Sequence, residues 1–245
     1  MNKEKQNDHF NLLQKIWWFF YRKVCSDKSF SKYLLFRKFG RKVNIDNPKT
    51  FNEKIQWIKI YDRKPIYKYV CDKYLVKEYV EKLIGEKYVP KMINVWSNVN
   101  DIDFNSLPNK FVLKGTHGSS FNIVVLDKKE IDFKECKIEM NNWLKIDYFK
   151  KGREWCYKGL ERRIICEEIL LTDEGKLPND YKFFCFNGRP LYIQIDVDRF
   201  NNHKRIFYDV EWNKQDFSLE YQLYKGDIDK PKYFDKMVEI AKTLS

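Results

Sequence analysis

Residues 111–126, Phe-Val-Leu-Lys-Gly-Thr-His-Gly-Ser-Ser-Phe-Asn-Ile-Val-Val-Leu, contain two short apolar runs on either side of a loop of small polar residues. The runs Phe111–Leu113 and Ile123–Leu126 are short and rich in β-branched residues, so they predict the two strands of a hairpin. The loop can bring backbone N–H groups together around an anion, and Lys114 at the strand end adds a positive charge. The small residues of the loop are Gly115, Gly118, Ser119 and Ser120. This stretch indicates either a phosphate-binding hairpin or an ordinary turn beside a solvated lysine.

The composition excludes disorder for most of the chain and favours an anionic partner. Of the 245 residues, 43% are hydrophobic and 17% are aromatic, which is enough to build a sizeable core. Lysine and arginine number 47 against 35 acidic residues, so the net charge is +12. A nucleotide, a nucleic acid, an acidic glycan and an anionic membrane surface would all suit this charge. We recognise no nucleic-acid-binding module, so nucleic acid is not an expected partner.

The cysteines, the histidines and the chain start indicate a cytoplasmic protein. No two of the six cysteines form a Cys-x-x-Cys pair, and the three histidines are far apart in sequence, so no zinc site is predicted. No signal peptide opens the chain, and no apolar run reaches the ~20 residues that a membrane-spanning helix needs. Residues Phe10–Val24 have helical spacing with a tryptophan and phenylalanine cluster beside basic residues. That helix would pack on the protein body or lie at a membrane interface.

The remaining pattern predicts an α+β protein. Thr50 and Glu53 form a capping box that opens a helix to about Tyr61, and Gly85 follows the end of a second helix over about Ile66–Ile84. Two more helices are expected over Phe133–Ile146 and from Pro231 onward. The predicted strands are Met92–Val95, Arg163–Leu171, Tyr181–Phe186, Leu191–Val197 and Arg205–Val210, with a turn at Asn187-Gly188.

Six segments in a fixed order give residues 46–214 a resemblance to a known family. These segments are Asn47–Trp57, Asp72-Lys73, Phe111–Gly118, Ile165–Leu170, Asp180–Gly188 and Asp198–Arg205. Together they resemble the ATP-grasp enzymes, and most closely the TupA-like branch that occurs in bacterial surface-polysaccharide gene clusters. The resemblance implies an ATP-grasp-like α+β fold in which two lobes, each with an antiparallel sheet, clamp ATP.

The resemblance also implies a division of the chain into four regions. They are an aromatic and basic N-terminal helical region (1–45), a helical part of the ATP-grasp region (46–110), a small ATP-binding lobe (111–166) and a large lobe (167–245). In this branch the acidic strands that hold Mg²⁺ are expected after the last helix, so the large lobe is expected to be truncated at its C-terminal end. No metal ligand is assigned within these residues.

The resemblance assigns ATP contacts and catalytic residues by position. Lys73 and Lys114 would reach the phosphates, Glu167 would accept a hydrogen bond from the adenine amino group, and Lys182 would reach the γ-phosphate. Gly115, Gly118 and Ser119 would fold over the phosphates, and the backbones of Glu168 and Leu170 would read the adenine edge. His117 would either join them or be a packing residue. The basic cluster of Arg199, Lys204 and Arg205, beside His203, would face the acyl phosphate and incoming substrate, or it would be an exposed basic loop.

The activity implied by the resemblance is an ATP-dependent carboxylate–amine ligase with an acyl-phosphate intermediate. ATP and Mg²⁺ are the expected cofactors, and the substrate is expected to be an anionic glycan or its amino-acid or peptide appendage. The alternative is a non-catalytic nucleotide- or glycan-binding scaffold of a polysaccharide assembly complex. Members of this branch are sometimes loosely called glycosyltransferases; Asp196-Val-Asp198 has the letters of a sugar-nucleotide metal motif but lies in an ATP-grasp-like strand. The protein is expected in the cytoplasm or peripherally at the inner membrane face.

Overall fold

The computed structural model describes residues 23–198 and 202–245 together with Ile16, Phe19 and Tyr21. The predicted helix Phe10–Val24 lies largely outside these residues, and Arg199 lies outside them altogether. The chain divides into two compact units. The first unit contains the residues up to Val76 together with Met92–Glu167, and the second contains Lys77–Lys91 together with Glu168–Ser245. The four regions predicted from the sequence remain a prediction.

Four helices precede the first strand of the described chain. They are α1 (Asp27–Phe39), α2 (Phe51–Tyr61), α3 (Pro65–Cys71) and α4 (Leu75–Ile84). The capping box predicted at α2 is confirmed, since the Thr50 hydroxyl accepts from the Glu53 amide while the Glu53 carboxylate accepts from the Thr50 amide. Helix α1 was not predicted; it begins after Ser26, whose hydroxyl caps the Ser29 amide at 3.1 Å.

The first unit is built on a four-stranded antiparallel sheet with the strand order β1-β4-β2-β3. The strands are β1 (Met92–Trp96), β2 (Phe111–Gly115), β3 (Asn122–Val125) and β4 (Ile164–Glu167), with helices α5 (Phe133–Lys145) and α6 (Phe149–Gly152) between β3 and β4. The predicted hairpin is confirmed, since Phe111 pairs with Val125 and Lys114 pairs with Asn122. Its core side chains, Phe111 and Leu113 among them, pack with Met140 and Trp143 of α5.

The second unit is built on a three-stranded antiparallel sheet with the order β5-β6-β7. The elements are β5 (Asp180–Phe186), β6 (Arg189–Val197), β7 (Lys204–Asp209) and helix α7 (Phe234–Leu244). The predicted Asn187-Gly188 turn is confirmed, with φ values of +51° and +75° at the two residues. Ile193, Ile195 and Ile206 form one face of this sheet and pack with Phe234 of α7.

Short 3₁₀ turns connect these elements at Glu86–Tyr88, Val99–Asp101, Phe104–Ser106, Lys128–Glu130 and Trp155–Tyr157. The α+β class with two antiparallel sheets is confirmed. No helix among the described residues is long and apolar enough to cross a membrane.

Three predicted boundaries are wrong. The single helix expected over Ile66–Ile84 is two helices, because Asp72 leaves the helical conformation (φ −79°, ψ 117°) and caps α4. The strand expected over Arg163–Leu171 ends at Glu167, because its pairing with β1 and β2 ends there. The last helix begins at Phe234 rather than at Pro231, whose carbonyl instead accepts from the Phe234 amide in a turn.

Candidate functional site

The break between α3 and α4 places Lys73 against the hairpin loop. The Asp72 carboxylate is buried, and one oxygen accepts from the amides of Tyr74 at 2.8 Å and Leu75 at 3.3 Å. This local cap ends one helix and begins the next. Between them the Lys73 amide donates to the Thr116 carbonyl at 3.2 Å. The loop after β2 is therefore tied to the start of α4 through the backbone of Lys73.

The side chain of Lys73 binds the same loop. Its Nζ donates to the Gly115 carbonyl at 3.0 Å and also to the Gly118 carbonyl. Burial and the neighbouring charge of Lys114 lower the pKa of Lys73, and this lowering outweighs the opposite effect of the Asp72 and Glu167 carboxylates. Since the two hydrogen-bond acceptors are neutral carbonyls, the ammonium charge of Lys73 is held in place without a directly bonded carboxylate.

Lys114 lies on the neighbouring strand and forms an ion pair with Glu167. Val112 pairs with Glu167 across β2 and β4, so Lys114, two residues further along, projects from the same sheet face as Glu167. Its Nζ pairs with Oε1 of Glu167, whose residue is only 4% exposed. We call the group of Lys73, Lys114, Asp72 and Glu167, with the loop after β2, the lysine-pair site.

Aromatic packing fixes the loop of the lysine-pair site. A Cβ atom added to Gly118 would lie 2.5 Å from the Tyr148 ring and 2.6 Å from the Phe121 ring, so only glycine fits there. The His117 ring is 2% exposed, and its Nε2 lies 2.9 Å from the Trp143 carbonyl. Burial lowers the pKa of His117 below its usual value, which favours a neutral ring. This environment favours the packing alternative for His117, whereas Ser119 is exposed on the loop.

The segment that follows β4 belongs to the second unit. The Glu168 amide donates to the Lys91 carbonyl at 2.9 Å, and the side chains of Glu168 and Leu170 are exposed. Within the described part of the chain, the amide and carbonyl of Leu170 make no backbone hydrogen bond. Leu170, one of the two residues whose backbones are predicted to contact adenine, therefore has backbone groups that are not used in pairing with the neighbouring chain.

A second group of charged residues surrounds Asp196 on the face of the second sheet opposite its core. The Asp196 residue is 1% exposed, and its Oδ1 accepts from Arg205 Nε at 2.7 Å and from Gln194 Nε2 at 3.0 Å. Its Oδ2 pairs with Lys182. His203 Nε2 lies 3.2 Å from Oδ1 without the alignment of a hydrogen bond. We call Lys182, Gln194, Asp196, His203 and Arg205 the Asp196 cluster.

The electrostatics of the Asp196 cluster are set by its cations. Burial alone would raise the pKa of Asp196, but the hydrogen bonds from Arg205 and Lys182 outweigh burial and hold the pKa well below its usual range. Arg205 is itself buried; it also donates to the Leu219 carbonyl at 2.6 Å and lies over the Tyr221 ring at 4.7 Å. Asp196 is therefore ionised and neutralised by protein groups.

The structure thus separates the predicted site residues into two groups. Lys73, Lys114, the loop and Glu167 lie together in the first unit, as the lysine-pair site. In the second unit Lys182 and Arg205 meet at Asp196, whereas Lys204, opposite Val197, is on the other face of β7. The roles assigned to these residues remain predictions.

Sequence reasoning gave no role to Asp72, Gln194 or Asp196. A signal was present in β6, where the alternation Ile193-Gln-Ile-Asp-Val places Gln194 and Asp196 on the same face of a strand. For Asp72 the signal was weaker, because the apolar spacing of the surrounding helices continues across it.

The described residues contain no ready-made set of metal ligands. No group of three histidine, cysteine or acidic side chains there is placed to hold a metal ion. Asp196, the most buried acid of the second sheet, has both carboxylate oxygens bonded to cationic side chains.

Comparison with known proteins identifies the family. Residues 53–245 match the family described as TupA-like ATPgrasp. This match covers well over half of the chain, so the chain belongs to the TupA-like ATPgrasp family and is an ATP-grasp protein. The resemblance inferred from the sequence is thereby confirmed. No curated protein and no solved structure gives a significant match to the chain.

Proposed function

We propose that the lysine-pair site holds the phosphates of ATP. The observation that carries this proposal is the environment of Lys73, whose partly buried ammonium is bonded to the carbonyls of Gly115 and Gly118. Burial first, and then the charge of Lys114, lowers the pKa of Lys73, so the protein does not fully compensate the hydration that this ammonium loses. A triphosphate would supply that compensation through charge-assisted hydrogen bonds.

Lys114 and Glu167 fit the same ligand. The Lys114 ammonium pairs with Glu167 on the same sheet face. A phosphate oxygen would compete for the ammonium, and the Glu167 carboxylate would then accept from the adenine amino group. The backbones of Glu168 and Leu170 are proposed to read the adenine edge, and Gly115, Gly118 and Ser119 are proposed to lie over the phosphates.

The proposed reaction is an ATP-dependent carboxylate–amine ligation. A substrate carboxylate oxygen attacks the γ-phosphorus, the bond between that phosphorus and the bridging oxygen breaks, and ADP leaves. An amine then attacks the acyl carbon of the resulting acyl phosphate, inorganic phosphate leaves, and the nitrogen loses a proton to give the amide. These steps need positive charge at the transferred phosphoryl group.

We propose that the positive charge at the transferred phosphoryl group comes from four residues of the second unit: Lys182, Arg199, Lys204 and Arg205. The half-exposed side chain of Lys182 has its ammonium held by the buried carboxylate of Asp196. Arg205, bonded to Asp196 and Leu219, would act by holding Asp196 in place. Phosphoryl transfer in this class would use Mg²⁺ to neutralise the charge of the phosphates. The described residues do not offer a fitting ligand set, so no step is assigned to the metal.

The substrate we propose is an anionic glycan, or an amino acid or peptide attached to it, within cell-surface polysaccharide biosynthesis. The net charge of +12 supports an acidic substrate. The protein would work in the cytoplasm or peripherally at the inner face of the membrane.

A second candidate is a nucleotide- or glycan-binding scaffold without catalytic turnover. The neutralisation of Asp196 by Arg205 and Lys182 favours it, because this acid is not available to a metal ion. The ligase and a nucleotide-binding scaffold would both bind ATP and would differ in turnover, whereas a scaffold that binds only glycan would not bind ATP.

Isothermal titration with ATP and Mg²⁺ tests the shared step. We expect binding by the unaltered protein, loss of binding in Lys114→Ala, and unchanged binding in Lys110→Ala, an exposed lysine next to the same strand. Unchanged binding in Lys114→Ala would reject the ATP site. Release of phosphate that depends on both an acidic glycan and an amine, with formation of amide product, would then select the ligase over the scaffold.

A further inference from the structure

Arg163 is a third cation beside the lysine-pair site, and nothing described so far gives it a role. It directly precedes β4, and the ladder between β2 and β4 continues to it, since the Thr116 amide donates to the Arg163 carbonyl at 3.0 Å. The Arg163 amide in turn donates to the Thr116 hydroxyl at 3.3 Å. The backbone of Arg163 is therefore fixed to the loop that follows β2, within the first unit.

Strand alternation places Arg163 on the sheet face that carries the lysine-pair site. Side chains two residues apart on a strand project from the same face, and so do the side chains of residues that pair across two strands. Arg163, Ile165 and Glu167 thus share a face, and Lys114, which pairs with Ile165, lies on it too. The intervening residues of β4 belong to the core on the other face.

One nitrogen of the Arg163 guanidinium lacks a hydrogen-bond acceptor. Nη2 pairs with the exposed Glu161, and the guanidinium carbon lies 4.9 Å from the centre of the Tyr74 ring. Nη1 is buried and donates to no described residue. Asp72 Oδ2 lies 4.0 Å from Nη1, which is close enough for charge attraction but too far for a hydrogen bond. A buried donor without an acceptor is unfavourable, and a ligand oxygen at this position would satisfy it.

The charged residues along this face follow the order of the parts of a nucleotide. In the proposed ATP site, Glu167 accepts from the adenine amino group and Lys114 reaches the phosphates. Arg163 precedes Glu167 by four residues, which is about 13 Å along an extended strand, and Lys114 pairs with the residue midway between them. An extended nucleoside triphosphate has a comparable length from its base to its terminal phosphate. The end of the face at Arg163 therefore suits the third phosphate.

We propose that Arg163 binds the γ-phosphate of ATP and thereby selects the triphosphate over the diphosphate. Its Nη1 would donate a charge-assisted hydrogen bond to a γ-phosphate oxygen, which supplies the missing acceptor. Asp72 would hold the guanidinium by charge, while its other oxygen stays bonded to the amides of Tyr74 and Leu75. The inference rests on the proposed ATP site and adds to it the residue that recognises the third phosphate.

Titration calorimetry with ATP and with ADP, each with Mg²⁺, tests the inference. We expect Arg163→Gln to weaken ATP binding by roughly tenfold to a hundredfold, which is the loss of one charge-assisted hydrogen bond, and to leave ADP binding nearly unchanged. The matched control is Arg162→Gln, because the neighbouring Arg162 is exposed and donates to the Leu144 carbonyl at 3.0 Å. Both affinities should be unchanged in this control.

The ratio of ATP affinity to ADP affinity decides the outcome. A ratio that is unchanged in Arg163→Gln would overturn the inference, and an equal fall in both affinities would make Arg163 only a support for Asp72 and the loop. Binding of neither nucleotide by the unaltered chain would instead reject the proposed ATP site itself. If Arg163→Gln does not fold, Arg163→Lys replaces it, since it keeps a cation beside Asp72 but lacks the planar donor group. It should still lower the ratio, and an unchanged ratio there would equally overturn the inference.

Discussion

The lysine-pair site and the Asp196 cluster contain similar residues but balance their charges in opposite ways. In the lysine-pair site the partly buried ammonium of Lys73 is bonded to two neutral carbonyls. In the Asp196 cluster the buried charge is a carboxylate, and Arg205 and Lys182 bind it directly. The first arrangement leaves the ammonium of Lys73 without a directly bonded carboxylate, whereas the second bonds its central carboxylate directly to cationic side chains.

This difference gives the two groups different expected roles. A charge that the protein leaves uncompensated is suited to a ligand, because the ligand contributes the missing interaction. A buried charge that is already paired within the protein gains little from a ligand. Removing one partner of such a pair, however, leaves the other charge buried without compensation and destabilises the fold. Changes in the lysine-pair site should therefore affect binding most, and changes at Asp196 should affect stability most.

The largest effect is expected from Asp196→Ala. It leaves Arg205 buried without its carboxylate, so the free energy of unfolding should fall by about 3–5 kcal/mol. Urea denaturation measures this fall, and Asp173→Ala, in an exposed turn, serves as the control with little change. Full stability in Asp196→Ala combined with lost ATP binding would reverse the comparison and make Asp196 a ligand-binding residue.

Lys73→Ala is expected to weaken ATP binding by roughly tenfold to a hundredfold. Removing one charge-assisted hydrogen bond to phosphate costs about 1.5–3 kcal/mol, which corresponds to that range. Titration calorimetry gives the dissociation constant, and Lys64→Ala, an exposed lysine before α3, provides the matched control. If affinity stayed constant while the protein unfolded more easily, Lys73 would be only a clamp for the loop.

Gly118→Ala tests whether the loop of the lysine-pair site is held by packing. The new Cβ would overlap the rings of Tyr148 and Phe121, so we expect a loss of ~1–3 kcal/mol in the free energy of unfolding. Gly152→Ala is the control, because its Cβ would meet nothing closer than 3.5 Å. Equal thermal stability of the two variants would contradict a rigid loop and weaken the contrast with the Asp196 cluster.

Local sequence rules predicted the elements that local interactions determine. The hairpin around Lys114 and the capping box at Thr50 follow from residues close in sequence, and both are present. The break between two helices at Asp72 was missed because the helical spacing of apolar residues continues across this position. The end of β4 at Glu167 was missed because it depends on pairing with distant strands.

The site was predicted as a set of residues but not as a set of contacts. Family resemblance pointed to Lys114 and Glu167 separately, yet their ion pair follows from the register of β2 against β4, which a single sequence does not reveal. The burial of Arg205 against Asp196 likewise depends on the register of β6 against β7. Strand register connects residues that are 9 to 53 positions apart here, so only the folded chain could reveal these partners.

The smallest expected effect is the pH dependence of ATP affinity, which should be absent at neutral pH and appear only at alkaline pH. It is also the sharpest test of the comparison. Burial beside Lys114 lowers the pKa of Lys73 from the usual 10.5, and only the protonated amine binds phosphate strongly. Affinity should therefore be constant at neutral pH and fall as the pH rises through the lowered pKa, so that the fall begins below 10.5. Lys73→Arg should remove the part of this fall that Lys73 causes, since a guanidinium stays protonated throughout. Asp196, whose pKa is lowered, stays ionised over the same range and should leave stability unchanged there. An identical alkaline fall in Lys73→Arg would assign the titration to another group and remove Lys73 from the proposed phosphate site.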